Sequence, residues 1–196
     1  MMKNIYVPTA GGYENLVADD ILSIHRTIWI NGKIEESVMV HTINALLHFD
    51  KESDEEITIF IHSPGGSIQE GLAIYDVMKV VRSPIRTVAV GMAASMGAVL
   101  LAAGTKGRRF VLPSSKVMIH QPRVTQVQNT NVSELIEMGE HMKNIKEMMN
   151  RILAGCTGHS EEEIDEACKT DHYFAAGEAV EYGLADEVMD SRNYYL

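Results

Sequence analysis

The stretch ITIFIHSPGGSIQEGLAIYDVMKVVRSPIRTVAVGMAASMGAVLLAA, residues 57–103, decides the fold. Ile57 to Ile61 is an unbroken β-branched and aromatic run, the pattern of a buried strand. Ser63-Pro-Gly-Gly-Ser67 predicts a tight turn. Ile68 to Val81 predicts a helix, and Ser67 with Glu70 forms a capping-box signature at its start. Ile85 to Val90 reads as a second buried strand. Ala94 to Ala103 reads as a helix of small residues. Strand, turn, helix, strand and helix in that order imply parallel pairing, and so an α/β fold.

The same alternation extends outward. Ile28 to Ile30 predicts a short strand ended by Asn31-Gly32, and Val38 to Phe49 has helical spacing at Val40, Ile43, Leu46 and Leu47. Asp50 to Glu56 is a charged turn. Arg109 to Leu112 and Val117 to His120 predict short strands. After Pro122 the character changes. Ser133 to Leu153 carries apolar residues at 135, 138, 142, 145, 149 and 152, a heptad-like stripe rich in methionine (Met138, Met142, Met148, Met149). Such a helix packs either on its own domain or against a partner subunit. Ser160-Glu-Glu-Glu163 caps another helix, and Ala176 to Tyr182 forms a last one, closed by Gly183. Residues 1 to about 18 contain Pro8, Gly11 and Gly12 with no period, and are expected to be a flexible arm. No repeat or interdomain linker interrupts the rest, so residues 19–196 are expected to form a single domain.

Composition narrows the function. The chain has 196 residues, 45% hydrophobic and 22% charged, with a formal net charge of -10. An acidic surface repels phosphate backbones, which argues against a nucleic-acid partner. Lys106, Arg108 and Arg109 form the one short basic cluster, expected to be a solvated turn. Cys156 and Cys168 make no CxxC pair, which argues against zinc and fits a reducing compartment. The first residues hold no apolar run of signal-peptide length, and the stretch from Gly97 to Gly104 is too short to span a bilayer. A cytoplasmic protein with no membrane partner and only minor self-processing is the expectation.

Four places could carry chemistry. Gly91-Met-Ala-Ala-Ser95-Met-Gly97 puts a serine at a strand-to-helix junction, where it is either a nucleophile or a helix N-cap. Ser63-Pro-Gly-Gly66-Ser67 is either a plain turn or a source of free backbone N–H groups for an oxyanion. His120 follows a strand and precedes Gln121-Pro122, where its ring can face a cleft; seven other histidines compete with it. Asp171, beside Tyr173-Phe174, could orient a histidine. There is no HExxH, no GxGxxG, and Gly104-Thr-Lys-Gly lacks the spacing of a phosphate loop.

Taken together, these segments resemble the ClpP family of serine peptidases. The matching strings are Ser63-Pro-Gly-Gly66-Ser67, Gly71-Leu-Ala-Ile-Tyr-Asp76, Ala93-Ala-Ser-Met-Gly-Ala98, Leu101-Ala-Ala-Gly104, Met118-Ile-His-Gln-Pro122 and Glu178-Ala-Val-Glu-Tyr-Gly-Leu184. They run in the family's order from about residue 19. The resemblance implies a crotonase-like α/β spiral with a projecting helix-strand handle at about residues 122–155, and an N-terminal arm serving as an axial loop. It implies Ser95 as nucleophile, His120 as general base and Asp171 as its orienting carboxylate. The backbone N–H groups of Gly66 and Met96 would form the oxyanion hole. The implied activity is a serine endopeptidase subunit of an ATP-dependent Clp protease, acting in protein quality control. Seven subunits would form a ring and two rings a tetradecamer, possible also with a paralogous subunit. An AAA+ unfoldase would spend the ATP and thread unfolded polypeptide in, so this subunit needs no cofactor and no metal.

Several positions depart from that family pattern. Met92 stands where glutamine is common, and His62 replaces an asparagine. Arg123-Val-Thr replaces a Gly-Gly pair in the handle strand, which binds substrate by adding it as a further strand. Thr170 replaces an arginine that reports on ring contact. These departures suggest a divergent paralogue. Two alternatives are a catalytically weak or silent ring subunit that needs a partner subunit, and a crotonase-fold enzyme acting on acyl-CoA. The latter leaves Ser95, His120 and Asp171 unexplained.

Overall fold

The computed structural model describes residues 5–9, 12–16, 22–124 and 130–190. A two-stranded antiparallel ribbon comes first, β1 (Ile5–Thr9) and β2 (Gly12–Leu16). This ribbon falls in the segment expected to be an irregular arm; the remainder of residues 1–18 lies outside the described residues. Next comes β3 (Thr27–Asn31), then α1 (Glu36–Glu52), β4 (Ile57–Ser63), α2 (Ile68–Val80), β5 (Ile85–Ala94) and α3 (Met96–Ala102). Short strands β6 (Arg109–Val111) and β7 (Lys116–Ile119) follow. The chain continues with α4 (Val132–Thr157), α5 (Glu161–Ala167), β8 (His172–Ala175), α6 (Ala176–Glu181) and β9 (Glu187–Val188).

The main sheet runs β3-β4-β5-β6-β9 with every neighbour parallel. Such strands are covered on both faces, which explains why β4 is buried at all but His62. The mixed α/β architecture with a mostly parallel sheet agrees with the fold expected from the sequence. β5 changes partner along its length. Its first half pairs β6 through Thr87, Val88 and Ala89, and its second half pairs β7 through Met92, Ala93 and Ala94. The change falls at Gly91, where φ is +71 and the N–H takes the Ser115 hydroxyl at 2.7 Å. β8 then pairs β7 antiparallel, with Ile119 opposite His172. The short strands β8 and β9 had no signal of their own in the sequence.

The core lies between this sheet and the helices α1 to α3. All of α3 is buried, which its small residues permit. Gly71 on α2 packs closely on α3: a Cβ there would lie 2.4 Å from the Met96 methyl carbon, which would have to shift. The capping box expected at Ser67 and Glu70 does not form, since Ser67 makes no side-chain cap bond and Oε2 of Glu70 is buried without a hydrogen-bond partner. Asn131 with Glu134, and Ser160 with Glu163, do form capping boxes. The methionine-rich stripe of α4 divides in two. Met149 and Leu153 near its C-terminal end are buried in the domain, whereas Val132, Leu135 and Ile136 at its start are exposed. The handle strand expected after Pro122 falls partly on residues 125–129, outside the described residues.

Arg109 overturns the expectation of a solvated basic turn. Its side chain is 1% exposed and pairs with Asp186 at 2.6 Å. It also donates to the carbonyls of Ala102, Cys156 and Gly183. One guanidinium thus ties α3, the end of α4 and the loop after α6. Only an arginine reaches so many acceptors from a single buried position. Lys106 and Arg108 of the same cluster do remain exposed, each near a carboxylate.

Candidate active site

Strand direction assembles the site. β5 and β7 run parallel side by side, so their carboxyl ends, Ala94 and Ile119, lie at the same edge of the sheet. Ser95 follows the first and His120 the second. β8 runs the other way, which brings its amino end beside the carboxyl end of β7. Asp171, immediately before β8, therefore lies next to His120. Carboxyl ends of parallel strands are where open α/β sheets place ligands.

Ser95 holds the N-cap position of α3 but does not cap it with its side chain. It has φ 55 and ψ -122 and makes no side-chain cap bond, although it stands directly before α3. Positive φ at a residue with a Cβ is strained, and here it turns the hydroxyl out of the strand-to-helix corner. The Ser95 N–H is anchored on the Met118 carbonyl at 2.8 Å, which fixes the corner to β7. Oγ of Ser95 lies 3.0 Å from Nε2 of His120, and Nδ1 of His120 lies 3.0 Å from Oδ1 of Asp171. With the carboxylate accepting from Nδ1–H, Nε2 is left as the acceptor for the serine O–H. The His120 side chain is 15% exposed and that of Asp171 35%, so the dyad opens to solvent from the carboxylate side.

The glycine turn is seated against this corner. A Cβ on Gly65 would meet Cβ of Ser95 at 2.6 Å and the Met96 nitrogen at 3.2 Å. Gly66 bridges Ile34 in parallel fashion: Ile34 N–H donates to Gly65 O, and Ser67 N–H donates to Ile34 O, each at 2.9 Å. That pattern directs the N–H of Gly66 itself away from Ile34. The N–H of Met96 opens α3 and has no acceptor one turn back. Gly66 and Ser95 line the same open cleft.

Beside Ser95 and His120 lies a small pocket walled by Ile68, Met96, Val99, Ile119, Met149 and Leu153. Asn150 and Cys168 also line it. Asn150 Nδ2 donates to Asp165 at 2.9 Å, and Lys146 pairs with the same carboxylate at 2.6 Å. Hydrogen bonds from Lys146 and Asn150 hold the Asp165 carboxyl below its usual range. Burial pushes the Cys168 thiol up to about 11, with the Asp165 charge adding to it.

Of the remaining positions singled out in the sequence, Arg123 meets the relay and His62 does not. His62 bonds the Val90 carbonyl through Nδ1 at 2.8 Å, on the neighbouring strand. Met92 and Thr170 are exposed. Arg123 pairs with Asp171, a contact that no spacing in the sequence signalled, because the two residues are 48 apart. Among the described residues, no group of His, Cys, Asp or Glu is arranged to hold a metal ion. Nor, among them, is any helix long and apolar enough to cross a membrane.

Known proteins resemble this chain over most of its length. A family model described as Clp protease matches residues 13–192. The chain is 40% identical over 173 residues to the ATP-dependent Clp protease proteolytic subunit 3 of Synechococcus sp. (strain CC9605), covering 88% of this chain and 86% of that protein. It is 42% identical over 173 residues to the ATP-dependent Clp protease proteolytic subunit 2 of Prochlorococcus marinus (strain MIT 9313), with the same coverage of each. The subunit 2 of Prochlorococcus marinus (strain NATL2A) is 42% identical over 169 residues, 86% of this chain and 84% of that protein.

Proposed function

Because this chain belongs to the Clp protease family, we propose that it is a serine endopeptidase subunit working through Ser95, His120 and Asp171. The observation that carries the reading is the unbroken relay of two 3.0 Å contacts from Oγ of Ser95 through the His120 ring to Asp171. A strained backbone at the serine adds support, since strain at a corner persists where function needs it.

The chemistry is acyl transfer. Oγ of Ser95 attacks the peptide carbonyl carbon while its proton passes to Nε2 of His120. Asp171 stabilises the imidazolium so formed. The carbonyl oxygen becomes an anion, which accepts from the N–H groups of Gly66 and Met96. As the carbon–nitrogen bond breaks, His120 gives its proton to the leaving amine. Water, deprotonated in turn by His120, then releases the acyl group from Ser95. The apolar pocket under Met149 and Leu153 receives the side chain preceding the scissile bond.

The wider setting belongs to the same proposal. Subunits assemble as heptameric rings stacked into a tetradecamer, and an AAA+ Clp unfoldase supplies unfolded polypeptide at the expense of ATP. The uncovered apolar start of α4, with Val132 73% and Ile136 59% exposed, suits a contact between rings. The compartment proposed is the cytoplasm, and the subunit itself takes no cofactor. His62, Met92 and Arg123 make it a divergent paralogue in this reading.

The test is covalent labelling by a fluorophosphonate, read by intact mass beside a Ser95→Ala control. A mass increase that vanishes in the variant supports the nucleophile. No increase in a folded, ring-sized protein overturns the aligned relay.

A further inference from the structure

The segment after β7 places a charge on the carboxylate of the relay. Nη2 of Arg123 donates to Oδ1 of Asp171, the same oxygen that accepts from Nδ1 of His120. The Arg123 side chain is 60% exposed and that of Asp171 35%. Arg123 also lines the open cleft that contains Pro64, Gly66, Ser95 and His120. One guanidinium thus faces both the carboxylate and the space in which a peptide must lie.

We propose that Arg123 is a specificity-determining and positioning residue: it rests on Asp171 in the free subunit, and an acidic side chain of the bound peptide draws it away. The inference rests on the triad reading above. An exposed ion pair is worth little and is screened by salt, so leaving Asp171 costs Arg123 little, while a pair made under a bound peptide is shielded from water and gains more. The guanidinium fork matches a carboxylate in either place. While Arg123 stays on Oδ1, its positive charge opposes the imidazolium that Asp171 is there to stabilise. Once it leaves, Asp171 serves His120 alone. Peptides with Asp or Glu at the position reaching Arg123 then bind better and react faster than their amide counterparts. Glu35, Glu36 and Glu70 line the same cleft and repel an anion, and Lys33, the other cation lining it, stands two and three residues from Glu35 and Glu36, so the preference that depends on Arg123 is confined to the position reaching it.

The experiment has two arms. In a Ser95→Ala background, fluorescent peptides with Asp or Asn at each position around the scissile bond are titrated by anisotropy at low salt. The Asp peptide is expected to bind about 3- to 5-fold more tightly at one position, the factor typical of a surface ion pair. The preference should fall to unity with Arg123→Met, persist with Arg123→Lys and shrink as salt rises. In protein with Ser95 intact, a neutral fluorophosphonate should label Arg123→Met about 3- to 5-fold faster than the unaltered protein. Equal binding of Asp and Asn peptides at every position overturns the proposal, as does labelling that is unchanged or slower in Arg123→Met. Failure of the triad reading is distinguishable: neither protein would be labelled, while the peptide preference, measured without the nucleophile, still tests Arg123 by itself.

Discussion

Gly65 and Ser95 approach so closely that a single added carbon on the glycine would lie 2.6 Å from Cβ of the serine. Gly65 also has φ +93, which a side chain disfavours. Gly65→Ala must therefore push the turn away from the corner. The expected cost is about 1–3 kcal/mol of stability. Labelling of Ser95 should fall by more than about 10-fold, because the N–H groups of Gly66 and Met96 lose their alignment. A melting curve set beside the labelling rate separates the two effects. A variant that is labelled at the normal rate would show that the turn has no part in the reaction.

Asp171→Asn keeps the shape of the carboxyl group but can present an N–H to Nδ1 of His120. The ring would then carry its proton on Nε2, where it cannot accept from Ser95. The labelling rate should drop by about 10³- to 10⁴-fold with little change in melting temperature. A drop of less than about 10-fold would remove Asp171 from the relay.

Arg109 and Asp186 form a buried pair, with the guanidinium 1% exposed and the carboxylate 16%. Asp186→Ala leaves the buried cation uncompensated and should destabilise by about 3–5 kcal/mol, read by denaturant unfolding at pH 7. Burial raises the Asp186 pKa, but hydrogen bonds and charge from Arg109 outweigh it, and the carboxyl titrates below its ordinary value. A group lowered in the folded state contributes stability that is present above its unfolded pKa of about 3.9 and lost as pH falls through the folded value. The gap between the two proteins should therefore be widest at neutral pH and narrow below about pH 4. A gap that does not change with pH would mean that the pair is not ionic.

Cys168 is buried, and its thiol is pushed up to about 11. Only the thiolate reacts, so iodoacetamide at pH 8 should alkylate it at least about 100-fold more slowly in folded than in unfolded protein. Mass spectrometry of tryptic peptides gives the two rates. Equal rates would mean that the floor of the pocket opens readily.

The sheet and the helices that position the site were legible because their signals are local. Ile57 to Ile61 and Ile85 to Val90 are rich in β-branched and apolar residues, as strands of a parallel sheet buried on both faces are. The serine corner was ambiguous in the sequence, since a nucleophile and a cap share the same neighbours. Only φ 55 at Ser95 and its contact with His120 separate the two readings. Asp171 was weak by itself because its meaning depends on β8, a strand too short to announce itself. Ser67 and Glu70 have the spacing of a capping box, yet tertiary packing leaves the cap unmade. Arg109 looked solvated because most of its partners, Asp186 and the carbonyls of Cys156 and Gly183, come from distant segments. Long-range electrostatics is what the sequence concealed, in the core at Arg109 and in the cleft at Arg123.

The order of the relay along the chain has a consequence for synthesis. His120 follows Ser95 by 25 residues, and Asp171 follows His120 by 51. A growing chain thus exposes its serine and histidine well before the strand that brings the carboxylate to them. Until β8 emerges from the ribosome and pairs with β7, the proposed peptidase has no means of orienting its base. On that reading, hydrolytic capacity waits until the fold is nearly complete.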